Sequence, residues 1–411
     1  MPGADPGPLS NDIVITGLGA VTPFGLGVGP LWEGLRRGAT AVGPFTRFEA
    51  SRHRTHLAAQ VPDSGAPLEG GRRTSLSDRF GVTAAREAIE GARLDLPRSA
   101  AATGVYFGSS NGGMLESERF FEAGLSRGPR RARAAALASQ QLNGPGDAIA
   151  RAIGAGGPVE TVSSACTSGA MAIGAALRAL RRGEIDVALA GGSDSLCQIT
   201  YAGFNALRSV DEAPCRPFRS DRAGLSLGEG AAVLVLESQA HARARGARAI
   251  ATLAGEASTC DARHMTAPSP EGEGAAEAIR LALADAGLTA DDVDFVNAHG
   301  TGTPLNDAAE AAAFHAAFGK RSSSIPVTST KALIGHLLGS AGAVEAVVTV
   351  LCLVRREVHP MPRAGAPDRG LGLDLVLDAP RALARARCAL STNLAFGGSN
   401  AALVFAAAGR G

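Results

Sequence analysis

The sequence has no excess of charge of either sign. Its 411 residues include 40 Lys and Arg against 39 Asp and Glu, so the net charge at pH 7 is +1. Proteins that bind nucleic acid or a membrane surface over a whole face carry a clear basic excess. We therefore exclude those two classes for the chain as a whole and expect an electrostatic partner to bind only a local patch.

The sequence also lacks paired cysteines and long apolar runs. None of its six cysteines forms a Cys-x-x-Cys pair, and its first residues do not resemble a secretion signal, so we expect reduced thiols in a cytoplasmic protein. The longest apolar run, residues 343–354, is shorter than a membrane span. We therefore expect no membrane segment.

Aliphatic runs alternate with alanine-rich segments along the chain. This pattern predicts an α/β protein with largely parallel sheets covered by helices. The length exceeds that of one ordinary core, and polar, basic residues 240–250 separate two parts. We expect a duplicated fold with an N-terminal half, 1–249, and a C-terminal half, 250–411. The predicted strands are 12–17, 104–109, 186–192, 231–237, 293–300, 325–330 and 400–406, and the predicted helices are 167–182, 271–287, 307–318 and 339–355.

The segment "GLGAVT" (17–22) begins like a dinucleotide-binding fingerprint. The third glycine of that fingerprint is replaced by Thr22, and Pro23 follows where a helix would have to start. We therefore set nucleotide binding aside.

Cys166 lies in "SSACTSG", immediately before a segment with helical spacing of apolar residues. A thiol at a helix N-terminus is favoured as a thiolate, because free N–H groups and the helix dipole lower its pKa. A lone cysteine is more often a small core residue. Two histidines in small-residue loops after predicted strands, His299 and His336, favour the nucleophile instead.

Zinc binding is an alternative use for a cysteine and two histidines. The three residues are far apart in sequence, and no fourth ligand stands at a ligand spacing. We therefore expect no metal and no cofactor.

Four ordered segments carry a resemblance to a known family: "SSACTSG", "NAHGTGTPLND", "STKALIGHLLGSAGAVEA" and "NLAFGGSNAALVF". With the flanking "DIVITGLGAVTPFG", they resemble the β-ketoacyl-acyl-carrier-protein synthases, the condensing enzymes of the thiolase superfamily. The resemblance covers nearly the whole chain. It is strongest to the synthase II group and its relatives in type II polyketide and aryl polyene pathways.

The resemblance implies a duplicated, five-layered α/β/α/β/α thiolase-like fold in a homodimer, or in a heterodimer with a ketosynthase-like subunit. It implies an acyltransferase that condenses a carrier-bound acyl chain with malonyl-acyl carrier protein, with loss of carbon dioxide. Cys166 would hold the acyl chain, while His299 and His336 would stabilise the enolate. The backbone N–H groups of Cys166 and Phe396 would form an oxyanion hole.

Further residues take roles only through the resemblance. Lys331 is assigned to the catalytic set, with Glu345, Thr301 and Thr303 in support, and Phe396, Gly397 and Gly398 form a gate. The implied acyl pocket contains Asn111, Phe204 and Leu394. For the acidic acyl carrier protein we predict a basic docking surface; its candidates are Arg127, Arg130, Arg131, Arg133 and Arg208, with Arg72 and Arg73.

The chain departs from the family at two places. "NLAFGG" has Leu394 and Ala395 where the family has phenylalanine and glycine, so the gate is expected to move differently. Asn111 stands where synthases II commonly have an aliphatic residue. A polar group there disfavours a saturated chain unless it is hydrogen-bonded within the protein. We therefore expect a substrate other than an ordinary saturated fatty acyl chain, such as a polyene or poly-keto chain. The alternative is that Asn111 bonds to a neighbouring backbone group and does not meet the substrate, so fatty-acid, polyketide and polyene pathways stay open.

Two other functions compete with the enzyme. Chain-length factors are partner subunits that typically lack the active cysteine, whereas this chain retains Cys166 and both histidines. A degradative thiolase predicts a second reactive cysteine near the C-terminus, and "NLAFGGSN" has none. The sequence therefore favours a condensing enzyme.

Overall fold

The computed structural model describes residues 12–63, 68–71, 73–96, 103–362 and 364–408. The strands are β1 Ile13–Thr22, β2 Gly25–Leu26, β3 Gly43–Pro44, β4 Leu57–Ala58, β5 Thr103–Gly108, β6 Val159–Val162, β7 Val187–Asp194, β8 Gly230–Ser238, β9 Ala251–Cys260, β10 Phe295–Asn297, β11 Pro326–Thr328, β12 Glu357–Val358, β13 Asp374–Leu375, β14 Arg381–Ala382, β15 Cys388–Leu394 and β16 Ser399–Ala407. The helices are α1 Val28–Arg37, α2 Leu76–Ala92, α3 Met114–Arg127, α4 Gly144–Ile153, α5 Ser168–Arg181, α6 Gln198–Ala206, α7 Gln239–Ala244, α8 Glu273–Asp285, α9 Pro304–Phe318, α10 Lys331–Ile334 and α11 Ala341–Arg355.

The same strand order occurs twice. The first set is β6-β5-β7-β8-β1 and the second is β11-β10-β15-β16-β9, so each set runs third, second, fourth, fifth, first in chain order. In both sets the first three strands of this order are parallel, and the other two neighbours pair antiparallel. The duplication expected from the sequence is therefore present in the topology.

The two sets are joined through their edge strands. β1 pairs with β9 at Ile13–Leu253, Val14–Thr252 and Ile15–Ala251. With β13 and β2 added, the described residues form one continuous sheet of 12 strands.

Three apolar clusters separate the layers. One lies between α2 and the outer face of the first strand set, and another between α8, α9 and the outer face of the second. The largest surrounds α5 and α11, which pack on each other between the two sets. Two sheet layers and three helix layers give the predicted five-layered α/β/α/β/α fold.

The "GLG" glycines lie inside β1 because α2 packs directly against that strand. A Cβ on Gly17 would stand 2.0 Å from the carbonyl oxygen of Ala88, and one on Gly19 would stand 1.9 Å from that of Ala84. The strand also continues to Thr22, beyond its predicted end. These glycines are therefore needed for helix–sheet packing.

The segment Leu338–Arg355 has the length and composition of a membrane span. Its 18 residues have a mean hydropathy of 1.7, and 89% of the segment is buried inside the protein. The apolar segment is longer than the run 343–354 noted in the sequence, and residues 341–353 of α11 are buried between the strand sets. An apolar surface all round is typical of a central core helix.

Candidate active site

Cys166 lies in a tight turn between β6 and α5. The preceding residue, Ala165, has a left-handed φ of 46°, which is unfavourable for a residue with a Cβ. Its carbonyl oxygen accepts hydrogen bonds from the hydroxyls of Ser110, at 3.0 Å, and Ser168, at 2.6 Å. These bonds stabilise the turn that presents Cys166 just before the helix.

The ionisation of the Cys166 thiol differs from the expectation. Cys166 is 8% exposed, and burial raises its pKa to about 11, whereas the helix N-terminus led us to predict a lowered pKa. The Lys331 ammonium and the backbone N–H groups of Phe396 and Cys166 oppose this effect. Desolvation outweighs them, so the resting group is a thiol.

His299 follows β10, and its ring is fixed from behind. Its backbone N–H donates to the Glu310 carboxylate at 2.7 Å. The Lys331 ammonium lies 3.1 Å from Nδ1 of the imidazole. An ammonium group only donates, so Nδ1 must accept and the proton of the neutral ring is on Nε2.

His336 has the same tautomer through a different contact. The Leu338 backbone N–H donates to its Nδ1 at 3.0 Å, which again leaves the proton on Nε2. That Nε2 is buried and has no hydrogen-bond partner in the described protein. The two imidazole rings are 5.4 Å apart and nearly perpendicular, at 86°.

Both imidazoles are neutral at physiological pH. Burial lowers the pKa of His299 well below its usual 6.5, and Lys331 and His336 lower it further. Burial and Lys331 do the same to the pKa of His336. The site therefore presents two neutral N–H donors.

Lys331 and Glu345 form a buried ion pair behind His299. The Lys331 ammonium donates to one Glu345 oxygen, and the Asn393 amide donates to the other at 2.6 Å. Burial raises the pKa of Glu345, while Lys331 and Asn393 oppose the rise. Because the ammonium bridges Glu345 and His299, this pair holds the His299 tautomer.

A cavity of about 320 Å³ joins these residues. Cys166, His299 and His336 all line it, so the structure brings together the three residues singled out in the sequence. Thr301 and Thr303 also line the cavity, and their hydroxyls are 2.9 Å apart. The other predicted residues on its wall are Phe204, Arg208, Leu394 and Phe396.

The predicted gate closes one side of this cavity. Phe396 stacks on Phe204 with ring centroids 5.6 Å apart. Gly397 and Gly398 have φ angles of 88° and 78°, which glycine adopts without strain. Ala395, at the position where the family has glycine, has no positive φ, so its Cβ is accommodated in this closed arrangement.

Asn111 does not line this cavity, and its place in an acyl pocket stays a prediction. Its amide nitrogen donates to the Ser195 carbonyl at 3.1 Å, and its amide oxygen accepts from the Thr200 hydroxyl at 2.9 Å. The amide is thus satisfied within the protein. The argument that Asn111 selects a polar acyl chain loses its basis.

The predicted carrier-binding arginines that the structure describes lie in three places. One group lies around a second concave surface of about 560 Å³, outside the catalytic cavity: Arg127, Arg130, Arg131 and Arg133, together with Arg119, which the sequence analysis missed. Arg208 lies on the wall of the catalytic cavity, and Arg73 is exposed elsewhere. Arg72 lies outside the described residues.

Sequence reasoning also missed three supporting residues: Ser110, Glu310 and Asn393. Each is recognisable only through the backbone or side-chain atom that it holds. No cluster of three or more His, Cys, Asp and Glu side chains suited to a metal ion occurs in the part of the chain that the structure describes.

The chain matches known proteins over nearly its whole length. The family description "Beta-ketoacyl synthase, N-terminal domain" matches residues 10–242, and the corresponding C-terminal domain matches residues 250–364. The chain belongs to the β-ketoacyl synthase family. It is 36% identical over 404 residues to 3-oxoacyl-acyl-carrier-protein synthase 2 of Staphylococcus aureus, an alignment that covers 96% of this chain and 97% of the relative.

Solved ketosynthases share the fold along their whole length. The ishigamide ketosynthase/chain length factor superposes with a TM-score of 0.92 at 32% identity, covering 97% of this chain and 100% of the other. A second structure is a type II PKS acyl-carrier protein in complex with its ketosynthase bound to the hexaketide. Its TM-score is 0.89 at 29% identity, over 97% of this chain and 99% of the other.

Proposed function

We propose that this β-ketoacyl synthase condenses a carrier-bound acyl chain with malonyl-acyl carrier protein to give a 3-oxoacyl-acyl carrier protein. The observation that carries the proposal is the convergence of the Cys166 thiol and two neutral Nε2–H donors, from His299 and His336, on one cavity. The first group accepts an acyl chain, and the other two bind an oxyanion.

In the first step, the Cys166 sulfur attacks the acyl thioester. The Sγ–carbon bond forms and the bond from the acyl carbon to the carrier's sulfur breaks. The proton of the thiol, whose pKa burial raises to about 11, ends on the departing carrier sulfur. The N–H groups of Cys166 and Phe396 stabilise the tetrahedral oxyanion.

In the second step, malonyl thioester loses carbon dioxide and becomes an enolate. The Nε2–H groups of His299 and His336 donate to the enolate oxygen, which needs no proton transfer from a charged ring. The enolate carbon attacks the acyl carbonyl on Cys166, the carbon–carbon bond forms, and Cys166 leaves as a thiolate that takes a proton from solvent.

We further propose the assembly and substrate class. A ketosynthase-like second subunit, in a homodimer or heterodimer, and an acyl carrier protein are the partners, as for the structural neighbours. The cavity wall of Phe204, Leu394 and Phe396 fits an apolar chain without selecting saturation. The pathway is fatty-acid, polyketide or polyene biosynthesis. The protein is soluble and cytoplasmic, and its two halves are residues 1–249 and 250–411.

A chain-length factor is the competing function. Such a subunit shapes a pocket for a partner and needs no nucleophile, whereas this chain holds a complete Cys-His-His arrangement with the Lys331–Glu345 pair behind it. We therefore favour the catalytic subunit.

The test supplies acyl- and malonyl-acyl carrier proteins and measures the 3-oxoacyl product by mass spectrometry. We expect product from the chain, alone or with a ketosynthase-like subunit, and none with Cys166→Ala. Equal product from wild type and Cys166→Ala would transfer the activity to the partner and support the chain-length factor.

A further inference from the structure

A buried carboxylate that takes no direct part in the two proposed reaction steps lies where the two halves meet. Asp194 is the last residue of β7 and is fully buried. One of its oxygens accepts from the Ser109 hydroxyl at 2.8 Å and from the Asn111 N–H at 2.8 Å. The Ser110 N–H lies 3.1 and 3.0 Å from the two oxygens, and the Gly339 N–H is 2.7 Å from the second oxygen.

Ser110 connects the Asp194 carboxylate to the turn that carries Cys166. The Ser110 N–H is held by Asp194, and the Ser110 hydroxyl donates to the Ala165 carbonyl at 3.0 Å. Ala165 is the left-handed residue directly before Cys166. The Asp194 carboxylate therefore anchors, through Ser110, the turn that carries the Cys166 thiol.

Gly339 connects the Asp194 carboxylate to the turn that carries His336, the proposed enolate-binding histidine. Gly339 follows Leu338, which has a left-handed φ of 55° and whose N–H donates to Nδ1 of His336. A Cβ on Gly339 would lie 2.7 Å from the Asp194 oxygen and 2.6 Å from the Ser110 hydroxyl. The chain therefore approaches the carboxylate as closely as glycine allows.

We propose that Asp194 is a positioning residue that sets the spacing between Cys166 and His336 by holding the Ser110 and Gly339 turns on one carboxylate. It acts through these turns and does not touch substrate. The inference rests on the proposed function, since it assigns Asp194 a part in both steps of that reaction. Because positional errors near 1 Å cost about a hundredfold in rate, a small displacement of either turn is measurable.

The primary variant is Asp194→Asn, which keeps the shape but leaves only one oxygen to accept several N–H groups. We expect both Cys166 acylation by acyl-carrier protein and carbon dioxide release from malonyl-carrier protein to fall about a hundredfold. The matched control is Asp294→Asn. Asp294 is also buried and accepts two backbone N–H groups, from Arg387 and Cys388, but lies just before β10, away from the cavity. It should leave both rates unchanged.

Two further variants remain informative if Asp194→Asn does not fold. Ser110→Ala removes the hydroxyl bond to Ala165, so it should slow acylation and spare decarboxylation. Gly339→Ala places a Cβ 2.7 Å from the Asp194 oxygen and 2.6 Å from the Ser110 hydroxyl, so it should displace both turns and slow both steps. A Ser110→Ala enzyme that loses both rates equally, or an Asp194→Asn enzyme with normal rates, would overturn the proposal.

The ring tautomer gives a readout that does not depend on turnover. In ¹⁵N-histidine-labelled protein, a His336→Asn variant identifies the His336 signal among the eight histidines. The wild type should show an unprotonated Nδ1 and a protonated Nε2, and Asp194→Asn should give a mixture. An unchanged signal in folded Asp194→Asn protein would contradict the positioning role. A changed signal in Asp194→Asn, found together with a wild type that has no condensing activity, would refute only the proposed function.

Discussion

At the residue scale, the two histidines have one chemical state and two different supports. Lys331 fixes Nδ1 of His299, and the Leu338 N–H fixes Nδ1 of His336. Both rings therefore offer Nε2–H to the same cavity. The neutral state matters because an enolate bound by two neutral donors keeps its reactivity toward the acyl carbonyl.

This arrangement predicts a selective loss in the histidine variants. His299→Ala and His336→Ala should each reduce decarboxylation of malonyl-carrier protein by about a hundredfold or more, because each removes an oxyanion donor. Acylation of Cys166, measured by intact-protein mass spectrometry, should persist. A variant that releases carbon dioxide at the wild-type rate would remove that histidine from the enolate site.

The limits of the sequence are also clearest at individual residues. The motifs predicted Cys166, His299 and His336 because each of these side chains follows a predicted strand in a small-residue loop, whereas Lys331 and Glu345 were predicted only through the family resemblance. The pKa direction of Cys166 was wrong, since helix position is visible in a sequence but burial is not. The partners of Asn111 and the contacts of Asp194 depend on chain segments brought together only by the fold.

At the element scale, the predicted gate contains a short glycine turn. Gly397 has a φ of 88°, its N–H donates to the Met265 carbonyl at 2.8 Å, and a Cβ added to it would meet no atom within 4 Å. Gly397→Ala therefore adds strain of about 1–2 kcal/mol without a clash.

We expect Gly397→Ala to slow condensation by disturbing the closed gate, as measured by single-turnover product formation. The control is Gly203→Ala, at a helical glycine in α6 with equally free space and no positive φ. Equal rates for the two variants would show that the backbone of the gate is not under this constraint.

The arginine surface is the second element with a predicted role. Arg130 and Arg131 lie on a short 3-10 helix after α3, beside Arg127 and Arg133. Reversing both charges with Arg130→Glu and Arg131→Glu should raise the KM for acyl-carrier protein roughly tenfold at low salt. The KM for an acyl-pantetheine thioester, which lacks the carrier, should not change.

Arg280→Glu, on the exposed face of α8, is the charge-reversal control for the single variants Arg130→Glu and Arg131→Glu, which are measured beside the double variant. A carrier KM that responds equally to Arg280→Glu and to the single variants would indicate a general charge effect. An unchanged carrier KM in the Arg130 and Arg131 variant would exclude this surface from docking.

Elements were predicted best where they are long and apolar. The strands near 187–194, 230–238 and 399–407 and the helices near 168–181 and 341–355 agree with the sequence within a few residues. Alanine- and glycine-rich α2 was missed, because small residues give weak apolar periodicity. The predicted strand 293–300 shortens to Phe295–Asn297, since the chain leaves the sheet there to form the His299 loop.

At the scale of the whole molecule, the duplicated topology places α5 and α11 together between the strand sets. Cys166 precedes α5, and the His336 turn precedes α11, so the candidate site lies where these two central helices begin. The chain length and the polar segment 240–250 predicted this duplication, and the family resemblance implied it as well, although the sequence shows no clear repeat. The repeated strand order supplies the physical basis that sequence periodicity did not contain.

Burial of His336 also affects the stability of the whole protein. The pKa of its imidazole is well below 6.5 in the folded state, so below pH 6.5 the unfolded chain binds a proton that the folded chain does not. The burial of the neutral imidazole therefore makes its full contribution to the free energy of unfolding above pH 6.5, and this contribution is lost as the pH falls below 6.5. Between pH 7 and 5.5, wild type should lose about 1 kcal/mol more than His336→Asn.

Denaturant unfolding at the two pH values measures this difference, because pH effects of the other groups are shared by both proteins. A constant difference between wild type and His336→Asn would mean that the imidazole titrates alike in the folded and unfolded states.

The central claim is that Cys166 carries the acyl chain that the malonyl-derived enolate attacks. Its most direct test is a pulse of acyl-carrier protein followed by a chase of malonyl-carrier protein, with peptide mass spectrometry of the enzyme at each stage. We predict an acyl group on the Cys166 peptide after the pulse, and its transfer to a 3-oxoacyl-carrier product with release of carbon dioxide after the chase. An acyl group on another residue, or a Cys166 acyl group that the chase does not remove, would contradict the account.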